Sequence, residues 1–79
     1  MDAYENMIDI IRNLPKNHYK SLRLQHKVNE HISGLRITAK KMAQTSLGKI
    51  CNQEANRYQR LLNSATNKEK QYETLGSIT

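Results

Sequence analysis

The sequence predicts an all-α fold in which a short N-terminal helix precedes a long antiparallel helical hairpin. Apolar residues recur at spacings of three and four along most of the chain, which is the periodicity of a helix with one buried face. Glycine and proline, the residues that interrupt helices, occur only three times and once in 79 residues. The alternative is an extended dimeric coiled coil, in which one continuous helix from about 17 to 74 pairs with a second copy.

The first helix is predicted over residues 2–14. Asp2 and Glu5 provide an Asp-x-x-Glu start, a variant of the capping box in which side chains satisfy free backbone N–H groups. The helix is expected to end at Leu14, because a residue that precedes proline is disfavoured in the α region.

A second and longer helix is predicted over residues 16–46, with Pro15 in its first turn or Asn17 as its N-cap. Its apolar face steps by three and four residues within about 80° of arc and comprises Leu24, Val28, Ile32, Leu35, Ala39, Met42 and Ser46. Gly34 lies inside this pattern, so we interpret it as a tolerated glycine at a close packing contact; a break at Gly34 is the alternative. A helix of about 45 Å favours a hairpin or a coiled coil.

The third helix is predicted over residues 50–65, after a break at which Gly48 serves as a helix stop. Its apolar face again steps by three and four residues and comprises Cys51, Ala55, Tyr58, Leu62 and Ala65. A Ser/Thr-x-x-Glu start at Thr66 allows a separate short helix over 67–75, followed by a frayed tail over 76–79.

Size and composition indicate a single domain with a thin core. A chain this short buries only about 60% of its unfolded surface, and this one has no Phe, no Trp and a single cysteine, Cys51. We therefore expect further stability from a homodimer or a hetero-complex. A lone cysteine is typical of a reducing compartment, and no apolar run could span a membrane, so we expect a cytoplasmic protein without a membrane partner.

The charge is positive and unevenly distributed. The net charge is +6, and eleven of the 13 Lys and Arg residues lie from Arg12 to Arg60, a segment in which Glu30 and Glu54 are the only acids. The other acids lie near the two ends of the chain. A basic middle segment of this kind attracts a polyanion or an acidic protein surface.

Two patterns of polar residues are candidates for the binding surface. The first is a stripe about 60° wide beside the apolar face of the second helix, formed by Lys16, Lys20, Arg23 and Lys27, with Lys41 on the same bearing. The second is the outer face of the helix that follows Gly48, formed by Lys49, Gln53, Asn56, Arg57 and Arg60. Lys neutralises phosphate, whereas Arg, Asn and Gln can hydrogen-bond base edges, so this face favours nucleic acid.

Residues 37–60, ITAKKMAQTSLGKICNQEANRYQR, resemble the helix-turn-helix of phage-type repressors and activators. In this resemblance Ala43 is the small residue of the first helix, Gly48 is the turn glycine, and residues 51–60 are the recognition helix. The resemblance implies base contacts by Gln53, Asn56 and Arg57, and phosphate contacts by Lys40, Lys41 and Arg60. Ala43 and Ala55 are farther apart than the motif usually places them.

No pattern typical of a catalytic, cofactor or metal site is found. No two of His18, His26 and His31 have the i, i+4 spacing that places ligands on one helical face, and a Gly-rich phosphate loop is absent. We therefore expect no enzymatic activity, no cofactor, no metal and no small-molecule substrate. The predicted function is binding of DNA or RNA, as a small regulator of phage or mobile-element type. The alternative is an adaptor or inhibitor whose basic helices dock on an acidic face of another protein.

Overall fold

Three helices make up the fold in the computed structural model, which describes the backbone of residues 2–78 and the side chains of residues 2–67. They are α1 (Ala3–Arg12), α2 (Tyr19–Lys41) and α3 (Ser46–Ile78), and no strand occurs within the described backbone. Helices α2 and α3 form an antiparallel hairpin, and α1 packs against both of them. The all-α prediction and the hairpin are confirmed. The alternative of one continuous helix over 17–74 is wrong, because the chain reverses direction between Lys41 and Ser46.

Helix α1 begins as the sequence predicts and ends two residues early. Asp2 is its N-cap, and the Asp2 carboxylate accepts a hydrogen bond of 2.8 Å from the backbone N–H of Glu5. At the other end the backbone N–H of Leu14 donates to the Ile11 carbonyl, which tightens the last turn ahead of the proline. The helix therefore ends at Arg12 rather than at Leu14.

Helix α2 is shorter at both ends than the predicted helix over 16–46. Its N-cap is His18, whose Nδ1 accepts a hydrogen bond of 3.1 Å from the backbone N–H of Lys20, so neither Pro15 nor Asn17 begins the helix. The helix runs unbroken through Gly34, as expected, and ends at Lys41. The close packing contact expected at Gly34 is wrong, because a Cβ atom there would meet nothing within 4 Å.

The connection between α2 and α3 lies at residues 42–45, earlier than the predicted 47–49, and Gly48 lies after it rather than in it. Thr45 ends the connection through two hydrogen bonds of its hydroxyl group. The hydroxyl donates to the carbonyl oxygen of Met42 at 2.7 Å and accepts from the backbone N–H of Gly48 at 3.1 Å. Gly48 is therefore in the first turn of α3 and is not a helix stop. It is buried there, and a Cβ atom on Gly48 would lie 2.0 Å from the Met42 carbonyl oxygen.

Helix α3 is a single helix, whereas the sequence predicts one helix that ends at Ala65 and allows a second that begins at residue 67. The Thr66 hydroxyl donates to the Leu62 carbonyl oxygen at 3.0 Å, so Thr66 bonds back into its own helix and does not cap a new one. The helix continues through the predicted tail to Ile78. The last residue of that tail, Thr79, lies outside the described residues.

The core joins all three helices and leaves one side of the hairpin uncovered. Its buried members are Ile8, Ile11, Val28, Ile32, Ala55, Tyr58, Leu62 and Ala65. Helix α1 covers the half of the hairpin far from the connection, where the Tyr4 ring stacks on His31 with centroids 3.8 Å apart. The opposite face of the α2–α3 pair is not covered by α1. No helix in the described part of the chain is long and apolar enough to cross a membrane.

Candidate binding surfaces

A basic groove runs along the open face of the hairpin, between α2 and α3. It contains two adjacent, open concavities of about 440 and 290 Å³ that share Arg36. We call this surface the hairpin groove and define it by its polar lining residues, which are Arg36, Lys40, Lys49, Asn52, Gln53, Asn56, Gln59 and Arg60. It brings together five of the predicted site residues, namely Lys40, Lys49, Gln53, Asn56 and Arg60.

The antiparallel pairing of α2 and α3 explains why these residues meet. Arg36 Nη1 donates a hydrogen bond of 3.2 Å to Asn56 Oδ1, across the groove. Nearer the connection, Ala39 and Asn52 line the same concavity from opposite helices. The α3 wall is rich in amides because Asn52, Asn56 and Gln59 recur at spacings of four and three and so share one face of the helix.

Sequence reasoning missed Arg36, Asn52 and Gln59 as members of the groove. Arg36 belongs to neither predicted pattern, because it lies on the side of α2 away from the Lys20 stripe. The signal that could have found it is the position of the chain reversal. Once the connection is placed at 42–45, Arg36 lies near the start of α3 across the hairpin, and its long side chain reaches Asn56.

The carboxylates among the described side chains are all engaged away from the hairpin groove. Asp2 accepts from the Tyr58 hydroxyl, Asp9 lies 3.6 Å from Arg12, and Glu30 lies 2.9 Å from His26. Glu5 and Glu54 both form ion pairs with Arg57. Several cations pair with none of these carboxylates, namely Lys20, Arg23, Lys27, Arg36, Lys40, Lys41, Lys49 and Arg60. The positive charge of the described chain is therefore left at the surface.

Arg57 is half-buried beside α1 and does not line the groove. Its guanidinium lies 2.9 Å from Glu54 and 2.9 Å from Glu5, and 3.8 Å from Asp2. These contacts fasten the N-terminus of α1 to α3, and they raise the pKa of Arg57 through its hydrogen bonds to Glu54 and then to Glu5. The structure thus gives Arg57 a structural role, whereas the sequence predicts a ligand contact.

The same cluster shifts the pKa values of its other members. The hydrogen bond from Tyr58 lowers the pKa of Asp2, and the hydrogen bond from Arg57 lowers the pKa of Glu54. Burial, followed by the hydrogen bond to Asp2, raises the pKa of Tyr58 to about 12. These carboxylates are thus held ionised by neighbours within the protein.

The predicted Lys stripe on α2 is partly reproduced. Lys20, Arg23 and Lys27 lie on α2 and are exposed, whereas Lys16 precedes the helix, because α2 begins at Tyr19. Lys41 is the last residue of α2, about 20 Å along the axis from Lys27. We call Lys20, Arg23 and Lys27 the basal stripe. They form one compact surface without Lys16 and Lys41.

The residues considered for metal binding or catalysis are dispersed or packed. No group of three His, Cys, Asp or Glu side chains that could hold a metal ion occurs in the part of the chain whose side chains are described. The His31 ring stacks on Tyr4 and makes an edge contact with Tyr58. Cys51 is buried as a free thiol.

The helix-turn-helix resemblance fails at its turn. Ala43 lies in the connection rather than in the first helix, and Gly48 lies in the first turn of α3, because Thr45 caps α3 three residues earlier. Of its implied base contacts, Gln53 and Asn56 line the groove and Arg57 does not. Comparison of the chain with protein-family models, with curated protein sequences and with solved structures finds no match.

Proposed function

We propose that this protein binds nucleic acid through the hairpin groove. The observation that carries the proposal is the composition of that groove. Four cations and four amides line it, and no carboxylate among the described side chains does. A groove of this kind matches an anionic backbone that also presents hydrogen-bonding base edges.

The two kinds of lining residue have different roles in this proposal. Arg36, Lys40, Lys49 and Arg60 contact phosphates and release condensed counterions, which supplies most of the affinity and makes it depend on salt. Gln53 and Asn56 are placed among these cations and can hydrogen-bond base edges through their amides. Binding through phosphate contacts needs no catalytic group, which accords with the expectation that the protein is not an enzyme.

A mobility-shift titration of a mixed-sequence 20-base-pair DNA duplex tests the proposal. The informative pair of variants is Lys49→Gln, in the groove, and Arg12→Gln, at a cation already paired with Asp9. Both variants lose one positive charge, so the net charge of the two proteins is the same. We expect Lys49→Gln to weaken duplex binding by roughly tenfold and Arg12→Gln to leave it nearly unchanged.

Two results would overturn this proposal. One is the absence of any duplex shift with the wild-type protein at micromolar concentration and 20 mM salt. The other is an equal loss of affinity in the two variants, which would show that net charge alone governs binding. Circular dichroism of each variant verifies that helix content is unchanged.

A second candidate function is docking on an acidic face of another protein, as an adaptor or inhibitor. A specific observation favours it: the connection end of the hairpin exposes three apolar side chains near Lys41. Met42, Leu47 and Ile50 are 37%, 49% and 54% exposed. Exposed apolar side chains surrounded by a polar rim are typical of protein interfaces. If the protein docks on a partner through these side chains, Ile50→Ser should abolish capture of that partner from nuclease-treated lysate and leave duplex binding unchanged.

We assign the protein to the cytoplasm as part of the same proposal. The supporting observation is Cys51, which is the only cysteine of the chain and is buried as a free thiol. Chains in oxidising compartments usually pair their cysteines. Fractionation of source cells, with an antibody to the protein, tests this assignment.

A further inference from the structure

We propose that the basal stripe is a second phosphate-binding surface, so that one molecule can bridge two nucleic-acid duplexes. The stripe consists of Lys20, Arg23 and Lys27, and it lies outside the hairpin groove. The proposal rests on the function proposed for that groove. It adds a second site of the same chemistry, and with it a bridging activity.

The two basic surfaces point in nearly opposite directions from α2. At about 100° per residue, Lys20, Arg23 and Lys27 fall within about 60° of arc. By the same measure, Arg36 and Lys40 lie about 160° and 200° away from Lys20. The groove and the stripe therefore occupy opposite sides of the same helix.

A single straight duplex cannot contact both sides of α2. The molecule is 19 Å across in its thinnest direction, and duplex DNA keeps its direction over a persistence length of about 50 nm. Wrapping one duplex around so thin a body would require a bend of well over 90°, far sharper than its stiffness favours. Two separate duplexes, one on each side, need no such bend.

The spacing of the stripe suits a phosphate backbone. From Lys20 to Lys27 the helix rises about 10 Å, a length that holds roughly three phosphates of one DNA strand. Three exposed cations therefore face about three anions. Neighbouring cations one helical turn apart repel each other in the free protein, and a polyanion removes that repulsion.

No described carboxylate forms an ion pair with a residue of this stripe. The only acid of α2 is Glu30, and its carboxylate is hydrogen-bonded to His26 at 2.9 Å. The three stripe residues pair with none of the carboxylates of α1, whose acids are bonded to Arg12, Arg57 and Tyr58. Glu30 lies three residues after Lys27 and offsets at most one of the three positive charges, so the stripe remains net positive.

A two-duplex capture assay tests the proposal. A 30-base-pair DNA duplex is fixed to beads, protein is added, and retention of a second, fluorescent 30-base-pair duplex is measured. The stripe variant is Lys20→Gln, Arg23→Gln, Lys27→Gln. The matched groove variant, Lys40→Gln, Lys49→Gln, Arg60→Gln, removes the same charge.

We expect the wild type to retain the fluorescent duplex. We expect the stripe variant to shift a single duplex still, but to retain the second at least tenfold less. The groove variant is expected to lose retention as well. All six positions are exposed, so we expect both variants to fold. Circular dichroism and thermal melting verify this.

The outcomes separate this inference from the function on which it rests. If the wild type shifts a single duplex but retains no second one, bridging is wrong and the groove proposal stands. If the stripe variant retains the second duplex as the wild type does, bridging arises from self-association and the stripe is not a site. If the wild type shifts no duplex, the function proposed for the groove fails first.

Discussion

Substitution of Gly48 by alanine tests the packing at the connection more sharply than any other single change. Gly48 is buried in the first turn of α3, and an added Cβ would lie 2.0 Å from the carbonyl oxygen of Met42 and 2.6 Å from its carbonyl carbon. Both contacts are with backbone, so no side-chain rotation can relieve them. The connection itself must move, and the hydrogen bond between Thr45 Oγ1 and the Gly48 N–H is strained with it.

The expected change in the free energy of unfolding is the sum of two destabilising contributions and one stabilising contribution. Overpacking of this kind costs about 1–3 kcal/mol, and weakening of the Thr45 cap costs about 1 kcal/mol more. The higher helix propensity of alanine returns up to about 1 kcal/mol. We expect Gly48→Ala to lower the free energy of unfolding by about 1–3 kcal/mol. For a domain of this size that lowers Tm by at least about 4 °C.

Gly34→Ala is the matched control. Gly34 lies in the middle of α2 with nothing within 4 Å of an added Cβ, so only the propensity term applies. We expect it to stabilise the protein by up to about 1 kcal/mol and to raise Tm by up to about 8 °C. Urea unfolding followed by circular dichroism measures both variants. Equal effects, or a stabilised Gly48→Ala, would refute the close approach of the Gly48 backbone to Met42.

Three further predictions concern the cluster that fastens α1 to α3. Arg57→Gln should accelerate amide hydrogen exchange in α1 more than Arg12→Gln does, because Arg57 contacts three carboxylates and Arg12 one; equal exchange rates would contradict the structural role of Arg57. Asp2 and Glu54 have lowered pKa values, so their ionised carboxylates stabilise the fold above about pH 4, where carboxyl groups ordinarily titrate. We expect urea unfolding to show a loss of stability as the pH falls below about 4. This loss should be smaller in Arg57→Gln. The raised pKa of Tyr58, about 12, stabilises the fold below pH 10, and this contribution is lost as the pH rises towards 12. Tyr58→Phe should therefore lose less stability than the wild type between pH 10 and 12, and an equally steep loss would count against the Tyr58–Asp2 hydrogen bond.

The helices and the core could be predicted because they depend on periodicity. The apolar positions Val28 and Ile32, and then Ala55 and Leu62, are all buried as their spacing indicates. Apart from the Asp2 cap of α1, the helix ends could not be predicted, because they depend on single hydrogen bonds. His18 as a cap and Thr45 as a cap are each formed by one side chain reaching one N–H group, and no spacing in the sequence distinguishes them from their neighbours.

The candidate site was predicted in part, and its errors have one cause. A helical projection gives the face of one helix but not which face another helix covers. A projection of α3 alone therefore does not show that α1 brings Glu5 to Arg57, from a position 52 residues away. Arg36 was missed for the complementary reason, since its partner Asn56 lies on the other arm of the hairpin.

The salt dependence of duplex binding tests the central claim most directly. With a 12-base-pair DNA duplex, too short to reach both basic surfaces, the logarithm of the association constant is measured against the logarithm of the salt concentration. Four groove cations on four phosphates predict a slope of about −3 to −4. Replacing Arg36, Lys40, Lys49 and Arg60 together by glutamine, in a protein that also carries the three glutamine substitutions of the basal stripe, should bring that slope close to zero. A wild-type slope near zero, or a slope unchanged by the four substitutions, would contradict nucleic-acid binding through the hairpin groove.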